Sequence, residues 1–153
     1  MEEFSDFVNI SIFPSLSSTN IYAQEQIKAA KITENSVVVA AKQTEGKGQR
    51  GTAWLSNPNE NLLFSLVFFP QKLKVEDVFY LSKVTSLALC DLVNELTEGQ
   101  AKIKWPNDIF VNEFKICGIL IENQLSGDRL TNSVVGVGLN VNQTSFKSDN
   151  AAS

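Results

Sequence analysis

A glycine-rich segment at residues 46–51 carries residue types that suit phosphate chemistry. It reads Gly-Lys-Gly-Gln-Arg-Gly and matches the pattern G-x-G-x-x-G, and its two cations, Lys47 and Arg50, are accompanied by one nearby acid, Glu45. The backbone N–H groups of such a loop, together with its cations, can fold over a phosphate. The same residues also fit a flexible surface loop with scattered charges, so the pattern alone leaves both interpretations open.

Two familiar meanings of this pattern fail on their context. A dinucleotide-binding fold needs a helix that begins at the last glycine, and residues 52–59 cannot form a long helix. No catalytic-loop or metal-loop motif of a protein kinase follows. Because the chain has no histidine, Ser-His-Asp and Cys-His catalysis and histidine-ligated zinc are excluded as well. Any chemistry must use lysine, arginine, carboxylates, amides and backbone donors.

A second polar segment, residues 102–108, reads Lys-Ile-Lys-Trp-Pro-Asn-Asp. In a strand, Lys102 and Lys104 lie on one face while Ile103 and Trp105 lie on the other. The proline then forces a turn that holds an asparagine and an aspartate. A lysine at the end of a strand, beside such a turn, can meet a carboxylate or a phosphate. A half-exposed edge strand followed by an ordinary turn explains the same residues.

Glycines inside two apolar segments predict a close approach of a ligand or of backbone. Gly118 lies within residues 115–122, and Gly136 and Gly138 lie two apart within residues 132–141. If both strands present glycine to the same side, they form a shallow slot for a flat ligand. Bulges that serve packing remain the alternative for each strand.

The elements that position these residues follow the order βαββαββββ. We predict strands over residues 8–13, 36–41, 62–69, 101–105, 109–111, 115–123 and about 132–141, and helices over 20–30 and 75–96. The second helix is expected to bury one stripe of Val75, Val78, Leu81, Val84, Ala88, Leu92 and Leu96. Residues 42–61 are expected to form a long loop, which is often functional. The order predicts an α+β fold with a mixed sheet and helices on one side.

Composition narrows the class of protein. The chain has 153 residues, 43% hydrophobic and 20% charged, which predicts one soluble globular domain, and its net charge of −4 argues against bulk attraction to nucleic acid or to a membrane. No apolar run approaches the ~20 residues of a membrane span, and the acidic start does not resemble a signal peptide. Cys90 and Cys117 are far apart and form no C-x-x-C pair. We therefore expect two buried thiols in a cytoplasmic protein.

Taken together, five ordered segments resemble the biotin–protein ligases over about residues 8–142. The resemblance implies a mixed, mostly antiparallel sheet with helices packed on it, like the biotin/lipoate ligase and class II aminoacyl-tRNA synthetase-like catalytic domain. It implies an incomplete catalytic core at residues 1–142 and a polar tail at 143–153 that leads into a missing C-terminal part. The matching segments are Ser18-Thr19-Asn20, Gln43 with the glycine loop and Trp54, Lys104-Trp105-Pro106-Asn107-Asp108, Lys115-x-x-Gly118-Ile119-Leu120 with Glu122, and Gly136-x-Gly138-Leu139-Asn140-x-Asn142.

The family reaction implied by this resemblance has two steps. The carboxylate of biotin attacks the α-phosphate of ATP, which enters with Mg²⁺ as co-substrate, and gives biotinyl-5′-AMP. A lysine of a biotin carboxyl carrier protein then attacks the mixed anhydride. No redox cofactor is implied, and no covalent enzyme intermediate forms, which suits a chain without histidine.

The resemblance also implies roles by position. Biotin contacts are expected from Ser18, Thr19, Asn20, Gln43, Lys47, Gly48, Gln49, Lys104, Gly118, Gly136 and Gly138. The catalytic residues are expected to be Lys104, Lys47 and Arg50. Nucleotide contacts are expected from Gly46, Arg50, Trp54, Asn107 and Asn140. The metal ligand is unassigned, with Asp108 as a candidate contact for Mg²⁺.

Two departures from the family and several alternatives accompany this interpretation. The common loop reads Gly-Arg-Gly-Arg, whereas here the two basic positions hold Lys47 and Gln49, so either Arg50 shifts in or the adenylate is held less tightly. A first strand near residue 8 leaves no room for an N-terminal DNA-binding domain, so we expect no repressor function; a homodimer through the sheet is plausible. The alternatives are a lipoate–protein ligase, which the Lys-Trp-Pro-Asn-Asp segment argues against, a biotin-binding core without catalysis, and a structural domain with accidental motifs.

Overall fold

One mixed sheet of seven strands organises the chain. The computed structural model describes residues 9–70 and 72–146. Three parts of the predictions lie outside these ranges: residues 1–8 of the predicted core, residue 8 of the first predicted strand, and residues 147–153 of the predicted tail. The strands follow the order β1-β2-β3-β7-β6-β5-β4. They are β1 (Asn9–Phe13), β2 (Ser36–Ala40), β3 (Asn61–Phe68), β4 (Ala101–Lys104), β5 (Asp108–Val111), β6 (Phe114–Ser126) and β7 (Arg129–Asn140), with helices α1 (Thr19–Lys28) and α2 (Phe79–Leu96).

The predicted order of elements is confirmed, as is the mostly antiparallel sheet. Only β1 and β2 pair in parallel, because α1 connects them as a crossover. The other neighbours are antiparallel, and β6 and β7 form a long hairpin in which β7 pairs from Arg129 to Leu139. Gln143, which was expected in a patternless tail, is buried and accepts hydrogen bonds from Asn57 N and Asn61 Nδ2.

The two helices lie on opposite faces of the sheet, so the expectation of helices on one side was wrong. Ala23 of α1 packs against Val134 of β7, whereas Val93 of α2 packs in the cluster that contains Val135. Adjacent residues of a strand point to opposite faces, so these contacts place α1 and α2 on opposite sides. The order of elements does not predict the face on which a helix packs, because each connection can cross the sheet on either side.

The helix α2 also buries a different stripe from the one predicted. The chain first makes a separate 3₁₀ turn at Val75–Asp77, and α2 then buries Ser86, Leu89, Cys90 and Val93. Val84 of the predicted stripe is 63% exposed. The helix is apolar on nearly all sides, so periodicity alone could not select its packed face. No helix in the two described ranges is long and apolar enough to cross a membrane.

The core on the α2 side predicts a clear contrast between two paired isoleucines. Ile109 of β5 is fully buried and pairs with Ile103 of the edge strand β4, which is 40% exposed. Ile109→Ala should lower the free energy of unfolding by about 2–5 kcal/mol, because it removes a buried side chain and leaves a cavity. Ile103→Ala, the matched control, should cost much less. Urea denaturation measures both values, and equal losses would contradict the packing described.

Burial also predicts how Cys117 affects stability at high pH. Desolvation raises the pKa of its thiol from the usual 9.0 to about 12; the positive charge of Lys115 opposes the rise and the negative charge of Asp108 adds to it. Between these two pH values the unfolded chain releases the thiol proton while the folded chain keeps it, so stability falls as pH rises.

Replacing the thiol removes this contribution. The difference in free energy of unfolding between the wild type and Cys117→Ala should therefore shrink from pH 8 to pH 10.5. Denaturation at both pH values tests this, and parallel pH profiles for the two proteins would count against it.

Candidate functional site

A pocket of about 270 Å³ opens on the α1 side of the sheet. Its walls are the first turn of α1, the glycine-rich loop, and the facing side chains of β6 and β7. This volume lies near the lower limit of the ~300–1,000 Å³ of pockets for drug-sized ligands. The pocket therefore suits a compact molecule.

Buried polar side chains form one end of this pocket. Thr19 N donates to Gln43 Oε1 at 2.7 Å, and Thr19 Oγ1 lies 3.1 Å from the same oxygen. Ser65 of β3 is fully buried, and its Oγ lies 2.7 Å from Thr19 Oγ1 and 2.6 Å from Asn20 Oδ1. Asn20 Nδ2 donates in turn to Glu122 Oε2 at 2.8 Å. These groups are held in place before a ligand arrives, so binding would cost little ordering.

The polar segment Ser18-Thr19-Asn20 leads into α1 without the usual cap. Ser18 is the N-cap residue but makes no side-chain capping bond. The next two side chains, Thr19 and Asn20, turn toward the sheet and are buried. Ser18, Thr19 and Asn20 therefore line the pocket, and the helix begins without the usual capping bond.

Glycines form the floor of the pocket, as the sequence predicts. Gly118 of β6 pairs directly with Gly138 of β7, and Gly136 pairs with Leu120 two residues away. All three glycines therefore face the same side. A Cβ atom added at Gly118 would lie 2.7 Å from Trp54 Cζ3, and one at Gly136 would collide with Asn20 Oδ1. The space above these strands is free of side chains from the floor itself.

The indole of Trp54 lies in this glycine slot. A Cβ atom at Gly138 would meet three atoms of the indole, with Nε1 at 2.6 Å. Trp54 Nε1 is buried, and none of the described residues accepts a hydrogen bond from it. The slot therefore accepts a flat ring, and Trp54 occupies the position that the sequence assigned to a flat ligand.

The glycine-rich loop brings Trp54 to this place by folding back on itself. Trp54 N donates to Gly46 O at 2.9 Å, Gly48 N donates to Thr52 O at 2.7 Å, and Lys47 bridges to Ala53. Arg50 has a φ of 54° at the tip of the turn and is exposed, outside the pocket lining. Gln49 lines the pocket instead. The neutral residue, and not Arg50, therefore faces the interior.

Lys115 lines the pocket, although the sequence assigned no role to its side chain. Its Nζ lies 2.6 Å from Asp108 Oδ1 and 5.5 Å from the centroid of the Trp54 ring. Strict alternation would place Lys115 on the face opposite Gly118, three residues later. A bulge changes this, because Ile109 pairs with Cys117 while Phe110 pairs with Lys115, which leaves one extra residue on β6. Bulges re-aim side chains in this way.

The structure places two other candidates beside the pocket and not in its lining. Lys104 lies in the same row of the sheet as Asp108 and Gly118, one strand further out, with its Nζ 4.7 Å from the centroid of the Phe110 ring. Asn140 Nδ2 donates to Lys115 O at 3.4 Å. Asn140 therefore supports the backbone of Lys115.

The remaining candidates divide in the same manner. Asn107 lines the pocket, but its side chain is used in structure, because Nδ2 donates to Ile119 O at 2.9 Å. Gly46 and Arg50 belong to the loop and do not line the pocket. The candidates that do line it are Ser18, Thr19, Asn20, Gln43, Lys47, Gly48, Gln49, Trp54, Asn107, Asp108, Gly118, Gly136 and Gly138. Ser65 and Glu122 complete the polar cluster. No sequence pattern pointed to Ser65, whereas Glu122 lies within one of the segments that resemble the ligases.

A mixed sheet of this kind is shared with a known class of ligases. The chain belongs to the biotin/lipoate A/B protein ligase family, whose model matches residues 12–140. The bifunctional ligase/repressor BirA of Bacillus subtilis (strain 168) is 36% identical over 128 residues, which are 84% of this chain and 39% of that protein. The biotin–[acetyl-CoA-carboxylase] ligase of Paracoccus denitrificans is 35% identical over 129 residues, 82% of this chain and 53% of that protein.

Solved structures agree with this assignment. The biotin protein ligase from Aquifex aeolicus in complex with biotin and ATP superposes with a TM-score of 0.75 and 33% identity, over 95% of this chain and 58% of that one. The ligase from Leishmania major in complex with biotinyl-5-AMP gives 0.77 and 31%, over 95% and 62%. The chain thus spans about two fifths to three fifths of the length of these four relatives.

The glycine slot predicts that a single methyl group displaces Trp54. In a Trp105→Phe background, in which Trp54 is the remaining tryptophan, Gly138→Ala should shift the fluorescence emission toward that of an exposed indole, because the new Cβ overlaps the ring. The same substitution should also lower the melting temperature.

A second background provides the control. In Trp54→Ala protein the space beside Gly138 is vacant, so Gly138→Ala should lower the melting temperature far less than it does beside Trp54. An unchanged emission spectrum, or equal losses in both backgrounds, would contradict the position of the indole.

Proposed function

We propose that this chain forms the biotin-binding and adenylating part of a biotin–protein ligase in the cytoplasm. Its substrates would be biotin, ATP with Mg²⁺, and a lysine of a biotin carboxyl carrier protein. The observation that carries the proposal is the pocket itself, which joins a buried polar end, a glycine floor and a lysine. Relatives at 33% and 31% identity are described in complexes with biotin and ATP and with biotinyl-5-AMP.

The shape and polarity of the pocket fit the ring system of biotin. A cyclic urea has two N–H donors beside one carbonyl acceptor, and the polar end offers buried hydroxyl and amide groups of both kinds. The glycine floor fits a flat bicycle. Because Trp54 lies on that floor, its indole would move as the bicycle enters and would then be placed to cover the ligand or the adenine.

The chemistry of the first step requires that two anions meet. A carboxylate oxygen of biotin attacks the α-phosphorus of ATP, the bond to pyrophosphate breaks, and biotinyl-5′-AMP forms. Lys115 lines the pocket beside the glycine floor, and its ammonium would offset repulsion between the carboxylate and the phosphate. A carrier lysine then attacks the acyl carbon as an amine, loses a proton and releases AMP.

Other residues take supporting roles in the proposal. Lys47 and Lys104 would add positive charge at the loop and at the outer strand, and Arg50 would act only if the turn reorganises. Gly46, Trp54, Asn107 and Asn140 would lie on the nucleotide side. Asp108 carries the carboxylate nearest the proposed reaction centre, but its partner is Lys115 at 2.6 Å, so Mg²⁺ would enter with the phosphates of ATP.

A lipoate ligase fits this pocket less well. The ring of lipoate is a dithiolane, which has no strong donors or acceptors to use Thr19, Asn20 and Gln43. Those groups would then gain no hydrogen bond from the ring, so the polar end would add nothing to the affinity for lipoate. A biotin-binding core without catalysis is the other alternative, and it would bind biotin but release no pyrophosphate.

The proposal predicts separate effects on binding and on chemistry. Calorimetric titration of the 153-residue chain should show biotin binding, and ATP with Mg²⁺ should then give pyrophosphate release. Lys115→Ala should lower the rate of pyrophosphate release by about 10²–10³-fold, because it removes a charge aimed at the transition state. Lys102→Ala, an exposed lysine on β4, is the matched control and should leave the rate nearly unchanged.

The outcomes separate the candidate functions. Biotin binding without pyrophosphate release would indicate a binding core. Binding of lipoate in preference to biotin would indicate the other branch of the family. Full activity in Lys115→Ala would remove this lysine from the mechanism.

A further inference from the structure

Glu122 is a charged residue next to the pocket whose role the proposed reaction does not explain. It lies on β6, two residues beyond Leu120, and its Oε2 accepts a hydrogen bond from Asn20 Nδ2 at 2.8 Å. Among the described residues, no salt bridge to Glu122 is found. Its closest polar partner is therefore the amide of Asn20, a neutral group in the ligand-facing cluster.

The amide of Asn20 uses its two N–H groups on β6. Nδ2 donates to Glu122 Oε2 and also to Leu120 O at 3.3 Å. An asparagine amide has no third N–H to offer. The remaining group, Oδ1, points to the other side, 2.6 Å from Ser65 Oγ and above Gly136. In this orientation Asn20 presents an acceptor toward the pocket and keeps its donors away from it.

The carboxylate of Glu122 and the carbonyl of Leu120 together oppose the reverse orientation of the Asn20 amide. An ionised carboxylate can only accept hydrogen bonds. If the Asn20 amide rotated by 180°, Oδ1 would face both Glu122 and Leu120 O, so three acceptors would meet without a proton. A neutral amide at residue 122 could rotate with Asn20, and Leu120 O alone would then oppose the reverse orientation. Because Asn20 is 3% exposed, water cannot readily compensate for the wrong orientation.

We propose that Glu122 is a positioning residue that fixes the polarity of the Asn20 amide and thereby selects a ligand that offers an N–H group at this point. The inference rests on the proposed function, in which that N–H belongs to the urea ring of biotin. Glu122 itself lies outside the pocket lining and does not contact the ligand. It acts through Asn20, and the acceptor Oδ1 is the group that reads the ligand.

Four proteins and two ligands test the proposal. The proteins are the wild type, Glu122→Gln, Glu122→Leu and the control Asn123→Ala, whose side chain is exposed on the opposite face of β6. The ligands are biotin and a biotin in which the urea nitrogen facing Asn20 carries a methyl group; both N-methyl isomers are measured, because the side is not assigned. Calorimetry gives the Kd of each pair.

The wild type and Asn123→Ala should bind biotin alike and should reject at least one N-methyl isomer. Glu122→Leu should weaken biotin binding by about 10-fold or more, the usual cost of losing a hydrogen bond to a charged group. It should also lose much of the discrimination between biotin and that isomer. Glu122→Gln, which keeps the shape and an acceptor, should recover part of both properties. The KM for ATP should stay unchanged in the variants.

A ligand-free readout covers the case in which Glu122→Leu folds poorly. In NMR spectra of wild-type protein and Glu122→Gln, the side-chain amide protons of Asn20 should be shifted and protected from exchange in the wild type, and the shift should be smaller when the carboxylate is replaced. Identical Asn20 amide signals in these two proteins would overturn the inference.

Failure of the inference is distinct from failure of the proposed function. If the wild type binds biotin and Glu122→Leu keeps both affinity and discrimination within about twofold, Glu122 has no such role while the ligase proposal stands. If the wild type binds no biotin, the proposed function fails and this inference, which rests on it, fails with it.

Discussion

The register between β6 and β7 is the constraint on which the rest of the site depends. Gly118 pairs with Gly138, and the neighbouring residues Ile119 and Val137 point to the other face, where they pack against α2. A slip of one residue would exchange the two faces of a strand. It would place branched side chains in the pocket and glycine in the core. The apolar contacts that stabilise the α2 side therefore also keep the pocket floor open.

One irregularity in that sheet supplies the charge of the site. The bulge on β6 lets Lys115 and Gly118 face the same side, although they are three residues apart. A regular strand would direct one of them into the core beside Cys117, where an unpaired ammonium would cost several kcal/mol. In the observed arrangement Lys115 instead meets Asp108 at 2.6 Å. The glycine floor depends on regular pairing of β6 with β7. The lysine at its edge depends on the bulge nearer the start of the same strand.

Regular pairing and the bulge also differ in how far the sequence could predict them. The strands were predictable because apolar, β-branched runs determine them locally. Glycines inside two of those runs indicated a slot on the condition that both strands present them to the same side, which the pairing of Gly118 with Gly138 fulfils. Lys115 was overlooked as a side chain because a bulge leaves no mark in the period-two pattern used to assign faces. The local sequence pattern also could not predict which face of the sheet each helix covers. The helix α2 is apolar on almost all sides, and the position of α1 does not determine the face on which α2 packs. Trp54 was assigned to adenine, and its place in the glycine slot depends on how the loop turns at Arg50, which has a φ of 54°.

The turn at Arg50 also limits the charge that the protein can bring to its ligands. The exposed Arg50 side chain leaves Lys47, Lys115 and Asp108 as the ionisable residues of the described pocket lining, which together give one net positive charge. On the proposed function, a carboxylate and a triphosphate meet at this place, so the anions exceed the local cations. The balance must come from Mg²⁺ that enters with ATP, from Lys104 one strand away, or from a turn that brings Arg50 inward. Because Asp108 neutralises part of the charge of Lys115, a carboxylate of the proposed substrate would compete with Asp108 for the same ammonium. The ion pair with Asp108 holds Lys115 in position, and on the proposed function its charge would become available to an anion that reaches the slot.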